Sequence, residues 1–272
     1  MKRLSSAPGR FVELDEGHFV ALSDDLREKL EQLRDLSDPN GEGLKLHNLS
    51  LGALEGWVTK LESATLDDAT AARLKRVREA AALDSPVPGE LDATLRHYQE
   101  DGFKWLTRLS HWGAGAILAD DMGLGKTLQV LALLLKRREL GPALVVAPTS
   151  VCPNWIEEAA RFAKDLRVTQ LGPGNRQKAI EDLTAGDVMI CSYGLLQQEG
   201  ESLAKMRFAS VVLDEAQAIK NAATQRAKVA HSLKGDVRIA MTGTPVENHL
   251  GELWSIFSFV NPGLLGSSRQ FA

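Results

Sequence analysis

The chain has 272 residues, 44% of them apolar and 25% charged, with a formal net charge of −4 at pH 7. That apolar share can bury a substantial core, which excludes a disordered chain, and the slightly acidic balance lacks the signature of a stand-alone nucleic-acid binder while leaving room for a local basic groove. No stretch approaches the ~18 apolar residues of a membrane helix, and none follows the positive charges of "MKRLSSAPGRF", so the sequence reads as soluble and cytoplasmic. Its cysteines, Cys152 and Cys191, read as buried free thiols, and its histidines show no spacing expected of a structural zinc site.

In chain order, "RFVELDEGHFVAL" (10–22) alternates apolar and polar residues about "DEG", which predicts a β-hairpin turning at Gly17. Ser23 then suits a helix N-cap, and Leu26, Leu30 and Leu33 repeat with helical spacing until "DPNGEG" breaks the pattern. Residues 50–62 and 67–83 predict two further helices. "DSPVPGE" (84–90) is the clearest linker in the chain. The expected organisation is a small α+β accessory domain over 1–84, a linker over 85–90 and a larger domain over 91–272.

Beyond the linker, short apolar runs alternate with helical stretches: "GAILAD", "ALVVAP", "DVMICSY", "SVVLDEA" and "VRIAMTGT". Continuously apolar strands separated by helices predict an α/β fold with a parallel sheet flanked by helices, whose ligands sit at the carboxyl ends of the strands.

The first such end is unusual. "ADDMGLGKT" lies between the strand "AILA" and the helix "TLQVLALLLKR", the context of a phosphate-binding P-loop. Gly123 and Gly125 let the backbone bring N–H groups against phosphate oxygens at a helix N-terminus; Lys126 would reach the β- and γ-phosphates and the Thr127 hydroxyl would ligate Mg²⁺. Asp121, Met122, Leu124 and Leu128 complete the expected nucleotide-binding segment. The spacing departs from the usual pattern at Asp120, where a glycine would stand. A second strand end, "VVLDEAQ", supplies Asp214 for the Mg²⁺ shell and Glu215 to orient or deprotonate a water, which together with the loop predicts hydrolysis of a nucleoside triphosphate.

Taken together, "LRHYQEDGFKWL", "ADDMGLGKT", "VVAPTSVCPNW", "ICSYGLL", "LDEAQAIKN" and "MTGTPVENHLGELWSIFSFVNPGLLG" resemble, in order, the motifs of the first RecA-like motor lobe of Swi/Snf-type superfamily-two ATPases. The resemblance covers about residues 91–272 and implies ATP and Mg²⁺ as ligands, with Lys126, Asp214 and Glu215 as the catalytic set. It assigns Arg96, Tyr98 and Gln99 to adenine sensing, and Gln217, Thr242, Gly243 and Thr244 to coupling of hydrolysis to nucleic-acid binding. Pro148, Thr149, Ser150, Ser192, Tyr193, Lys220 and Asn221 would touch nucleic-acid phosphates, with no sequence readout. Double-stranded DNA is the partner implied, with RNA, a polymerase complex or another DNA-bound protein complex as alternatives, and a scaffold that uses nucleotide only structurally as another class of function. A second lobe, which would contribute arginines at the γ-phosphate, is expected outside this chain, so alone it should turn over slowly. Lys136, Arg137 and Arg138 read as a solvated helix end, and Trp254, Phe257 and Phe259 as core.

Overall fold

The computed structural model describes residues 68–244 and 250–271 and, before them, four strands and a few single positions. By its internal contacts the chain divides into two units, residues 1–78 and 79–272. In the first, β1 (Phe11–Asp15) pairs antiparallel with β2 (His18–Ala21), the hairpin expected over 10–22. Its turn residue Gly17, the proposed cap Ser23, the stripe Leu26, Leu30 and Leu33, and residues 51–62 of the next expected helix lie outside the described residues. "DPNGEG" does more than stop a helix. It falls in a second antiparallel hairpin, β3 (Ser37–Asn40) with β4 (Gly43–Leu46), where Asn40 faces Gly43. Helix α1 (Asp68–Ala82) matches the alanine- and arginine-rich stretch, and because it runs past residue 78 the division between the units precedes the linker.

The second unit is built on a six-stranded, wholly parallel sheet. Its strands are β5 (Ala116–Leu118), β6 (Ala143–Ala147), β7 (Arg167–Gln170), β8 (Asp187–Ser192), β9 (Arg207–Leu213) and β10 (Lys234–Met241), arranged β5-β10-β9-β6-β8-β7. Alternation along each strand sends side chains to opposite faces. On β6, Val145 and Ala147 join one apolar cluster while Leu144 and Val146 join the other. The first cluster is covered by α2 (His97–Trp112), α3 (Lys126–Arg137) and α4 (Cys152–Phe162), through Phe103, Leu131 and Trp155 among others. The second is covered by the short helices α5 (Arg176–Glu181), α6 (Tyr193–Gln198) and α7 (Gly200–Lys205), then α8 (Gln225–Ser232) and α9 (Leu250–Val260). This is the flanked parallel sheet expected from the uninterrupted apolar strands. Helix α10 (Ser268–Phe271) closes the described chain.

Strand β7 carried no expectation, because its residues "RVTQ" are largely exposed at the sheet edge and show no apolar run. Phe259 is buried in the second cluster, Phe257 packs against it, and the Trp254 indole donates to the Gly266 carbonyl at 3.2 Å, in keeping with a packing role for this segment. The basic helix end differs from expectation. Lys136 is exposed, but Arg137 turns inward and donates to the Ser210 hydroxyl (3.0 Å) and the Ala209 carbonyl (2.8 Å), while Arg138 pairs with Glu90 at 2.9 Å. Carbonyls and acids within reach hold these guanidinium groups more firmly than the helix dipole alone would. Among the described residues no helix is long and apolar enough to cross a membrane.

Candidate nucleotide site at the strand ends

The phosphate loop, the acid pair and the threonine segment each leave the sheet at the carboxyl end of a strand, after β5, β9 and β10. The loop after β5 turns through Gly123 (φ +82°) and Gly125 (φ +73°), left-handed conformations that glycine adopts without a Cβ penalty. Gly125 also begins α3, so the first free amides of that helix open onto the loop. The Lys126 ammonium donates to the carbonyls of Asp120 (2.6 Å) and Asp121 (3.1 Å), which folds its side chain back over the loop. Thr127 follows on the first turn.

Asp120, the departure from the usual spacing, has a structural explanation. Its carboxylate accepts from the Gln129 side chain at 3.2 Å and so is tied to α3. Gln129 is fully buried beside Gly102 of α2, where any Cβ would collide with the Gln129 amide oxygen. Gln99, one turn earlier on α2, donates to the Leu124 carbonyl at 3.1 Å and accepts from the Arg96 amide at 2.9 Å. The helix expected to sense adenine therefore grips the phosphate loop itself, with Arg96 and Tyr98 exposed beside it.

Asp214 stands at the end of β9 and is 8% exposed. One carboxylate oxygen accepts from the Trp155 indole at 2.8 Å and the other from the Glu215 amide at 2.9 Å. Burial raises its carboxyl above the usual range; these donors and the charge of Lys126 act against that, while Glu215 reinforces it. Glu215 has φ +50°, the one positive value outside glycine among the described residues.

From Glu215 a continuous polar chain crosses to the next strand. Gln217 donates to the Glu215 carboxylate at 2.7 Å, the Thr242 hydroxyl donates to Gln217 at 2.9 Å, and the Thr244 amide donates back to Thr242 at 3.0 Å. The Thr242 amide in turn donates to the Leu118 carbonyl, the last residue of β5, at 3.2 Å. A Cβ on Gly243 would lie 3.3 Å from the Met122 side chain of the phosphate loop. Gln217, Thr242 and Thr244 thus link Glu215 to the end of β5, from which the phosphate loop leaves. Residues 245–249, the middle of "TGTPVENHLGELWS", lie outside the described residues.

The expected nucleic-acid contacts divide. Thr149, Ser150 and Asn221 are exposed beyond the strand ends, with Pro148 half-buried beside them. Ser192 and Tyr193 are not free surface groups: the Ser192 hydroxyl caps α6 by accepting from the Leu195 amide at 3.2 Å, and the Tyr193 hydroxyl donates inward to the Asp214 carbonyl at 2.9 Å. Lys220 pairs with the buried Glu252 at 3.3 Å. An apolar sheet end followed directly by a helix turns such side chains inward, where their polar atoms are consumed by caps and backbone.

Sequence reasoning assigned no role to Trp155, which holds Asp214, or to Gln129, which holds Asp120. Their signal was slight, a tryptophan and a glutamine on otherwise apolar helix faces. Both thiols are buried and unpaired, and burial pushes Cys191 up to about 12. No cluster of metal-ligating side chains occurs among the described residues.

A phosphate-loop domain with a strand-end acid pair and a threonine relay is the class this geometry defines. Comparison with known proteins gives the family. A sequence profile of the SNF2-related domain matches residues 98–272. The Bacillus subtilis protein YwqA, which carries the name ATP-dependent helicase/translocase, is 38% identical over 99% of this chain and 31% of its own length. The Candida albicans helicase SWR1 is 36% identical over 76% of the chain and 13% of its own. Among solved structures, the Sulfolobus solfataricus SWI2/SNF2 ATPase core in complex with double-stranded DNA superposes with a TM-score of 0.64 at 42% identity, covering 70% of this chain and 40% of that one. The chain belongs to the SNF2-related family, and it spans less than a third of the length of these curated relatives.

Proposed function

We propose that residues 91–272 are the first motor lobe of an ATP-dependent translocase that moves on double-stranded DNA, and that residues 1–84 form an accessory domain. The observation that carries this reading is the hydrogen-bonded chain from Glu215 through Gln217 to Thr242 and Thr244, because it ties the acid pair to the segment that leaves the sheet beside the phosphate loop. A domain that merely stored nucleotide would have no use for such a link.

In this reading the loop amides and Lys126 hold the triphosphate of ATP, with Asp121 to Leu128 enclosing it. Gln99, flanked by Arg96 and Tyr98, aligns the loop and reaches the base. The donor set fits Mg²⁺: Asp214 keeps a spare lone pair on each oxygen, and the Thr127 hydroxyl supplies a second hard ligand. When bound, that ion neutralises charge developing between the β- and γ-phosphates. Glu215 orients the attacking water, and a change in its position passes through Gln217 to Thr242, Gly243 and Thr244. Phosphates of DNA meet the turn at Pro148, Thr149 and Ser150 and the exposed Asn221. Residues of a second lobe, beyond this chain, complete the site with positive charge on the γ-phosphate.

Titration with Mg-ATP, followed by turnover with and without duplex DNA and with a matched RNA duplex, tests the proposal. Lys126→Ala should weaken nucleotide binding by roughly tenfold or more. Turnover should be low in this chain and stimulated by DNA more than RNA once the second lobe is supplied. Nucleotide affinity equal to that of Lys126→Ala would sink the proposal, and equal stimulation by RNA would remove its DNA specificity.

A further inference from the structure

The peptide between Asp214 and Glu215 is held at both of its polar ends. Its N–H, on Glu215, donates to the Asp214 carboxylate at 2.9 Å, and its carbonyl, on Asp214, accepts from the Tyr193 hydroxyl at 2.9 Å. The same peptide leads into the left-handed backbone of Glu215, φ +50°, which a residue with a Cβ occupies only when its surroundings impose it. Tyr193 is well placed to impose it. It directly follows the last residue of β8, it is 4% exposed, and the Arg226 guanidinium lies 5.5 Å from its ring centroid. A backbone carbonyl only accepts, so in this contact the phenol hydroxyl is the donor.

We infer that Tyr193 is a positioning residue for Glu215: its hydroxyl fixes the Asp214 carbonyl, and through it the strained backbone that presents the glutamate carboxylate to Gln217. The catalytic side of this inference rests on the reading of Glu215 as the group that orients water. Without the hydroxyl, the Asp214 carbonyl loses its donor and the peptide is free to rotate. Rotation withdraws the Glu215 amide from the Asp214 carboxylate and moves the Glu215 side chain away from Gln217. The nucleotide loop makes no bond to Tyr193, so binding should survive the change while turnover should not.

Trp155 gives a readout that does not depend on activity, because its indole N–H donates to the same carboxylate that receives the Glu215 amide. Tyr193→Phe in the whole chain should displace the Trp155 indole resonance in a ¹H–¹⁵N spectrum, assigned with Trp155→Phe. It should keep Mg-ATP affinity within about twofold and lower kcat by roughly ten- to a hundredfold. In a Glu215→Gly background, where left-handed backbone carries no Cβ penalty, the same substitution should leave the resonance in place. An unmoved resonance in the parent background, or an equal displacement in both, would overturn the inference and reduce the tyrosine to core packing. If Tyr193→Phe does not fold alone, its combination with Glu215→Gly should; failure of that pair to fold would likewise leave the tyrosine a packing residue and overturn the inference. Absence of nucleotide binding by the parent chain would defeat the proposed function, while the resonance comparison still decides the role of Tyr193.

Discussion

Asp214 shows how a single carboxylate is kept usable inside a protein. Burial favours its protonated form, and the Trp155 indole is foremost among the groups that act in the opposite direction. Because its folded value lies above the unfolded one, the native state holds the proton more tightly, and stability falls as pH rises from the ordinary aspartate range through the folded value. Trp155→Phe removes a bond to a charged acceptor, so we expect a loss of about 2 kcal/mol near neutral pH. Asp214 should titrate higher in the variant, and the stability deficit should widen from acidic to neutral pH; carboxyl NMR titration alongside thermal melts at several pH values checks both. The cysteines give a second expectation at this scale. Burial raises the thiols of Cys152 and Cys191, so neither offers thiolate to a reagent at neutral pH. Alkylation should proceed at the rate of global unfolding; rapid labelling of either residue in the native chain would contradict the packing described.

At the scale of elements, the site depends on how β5 is attached. This three-residue strand pairs with β10 alone at the sheet edge, yet it delivers the phosphate loop. Asn261, just beyond α9, closes the gap: its side chain accepts from the Gly115 amide at 2.8 Å and donates to the Gly115 carbonyl at 3.2 Å. Gly115 has to be glycine there, since a Cβ would collide with the carbonyls of Val260 and Arg238. Asn261→Ala should cost about 1–3 kcal/mol through the unmet backbone groups and should also weaken Mg-ATP binding, because the strand that aims the loop is loosened. Calorimetry with and without nucleotide measures both, and unchanged nucleotide affinity would show that the loop holds its shape independently of β5. Legibility at this scale was uneven. The apolar strands and the helix after the loop could be read from their runs, whereas β7 could not, because an exposed edge strand needs no apolar pattern. Gln129 was hidden for the opposite reason, a polar residue in an apolar helix whose partner, Asp120, is nearby only once the loop turns back.

For the whole molecule, the second unit carries both apolar clusters of the parallel sheet. A chain of residues 85–272 should therefore fold cooperatively and keep the nucleotide affinity of the whole. Loss of a sigmoidal melt on removing residues 1–84 would show that the accessory region is needed for folding, and a changed affinity would give it a regulatory role.

What the amino-acid sequence determined by itself was local and periodic: the apolar strands, the helices between them, the phosphate loop with its glycines, the acid pair and the order of motifs that places the chain in its family. These follow from neighbouring residues, since backbone freedom, burial period and loop chemistry act over a few positions. Tertiary structure alone decided which side chains meet across strands. It turned Tyr193 and Ser192 inward, set Lys220 against Glu252, brought Trp155 to Asp214 and joined Glu215 to Thr242 through Gln217. Tyr193 and Asp214, Lys220 and Glu252, Trp155 and Asp214, and Gln217 and Thr242 stand far apart in the chain, and only the packing of a parallel sheet, whose strand order departs from chain order, brings them within reach of one another.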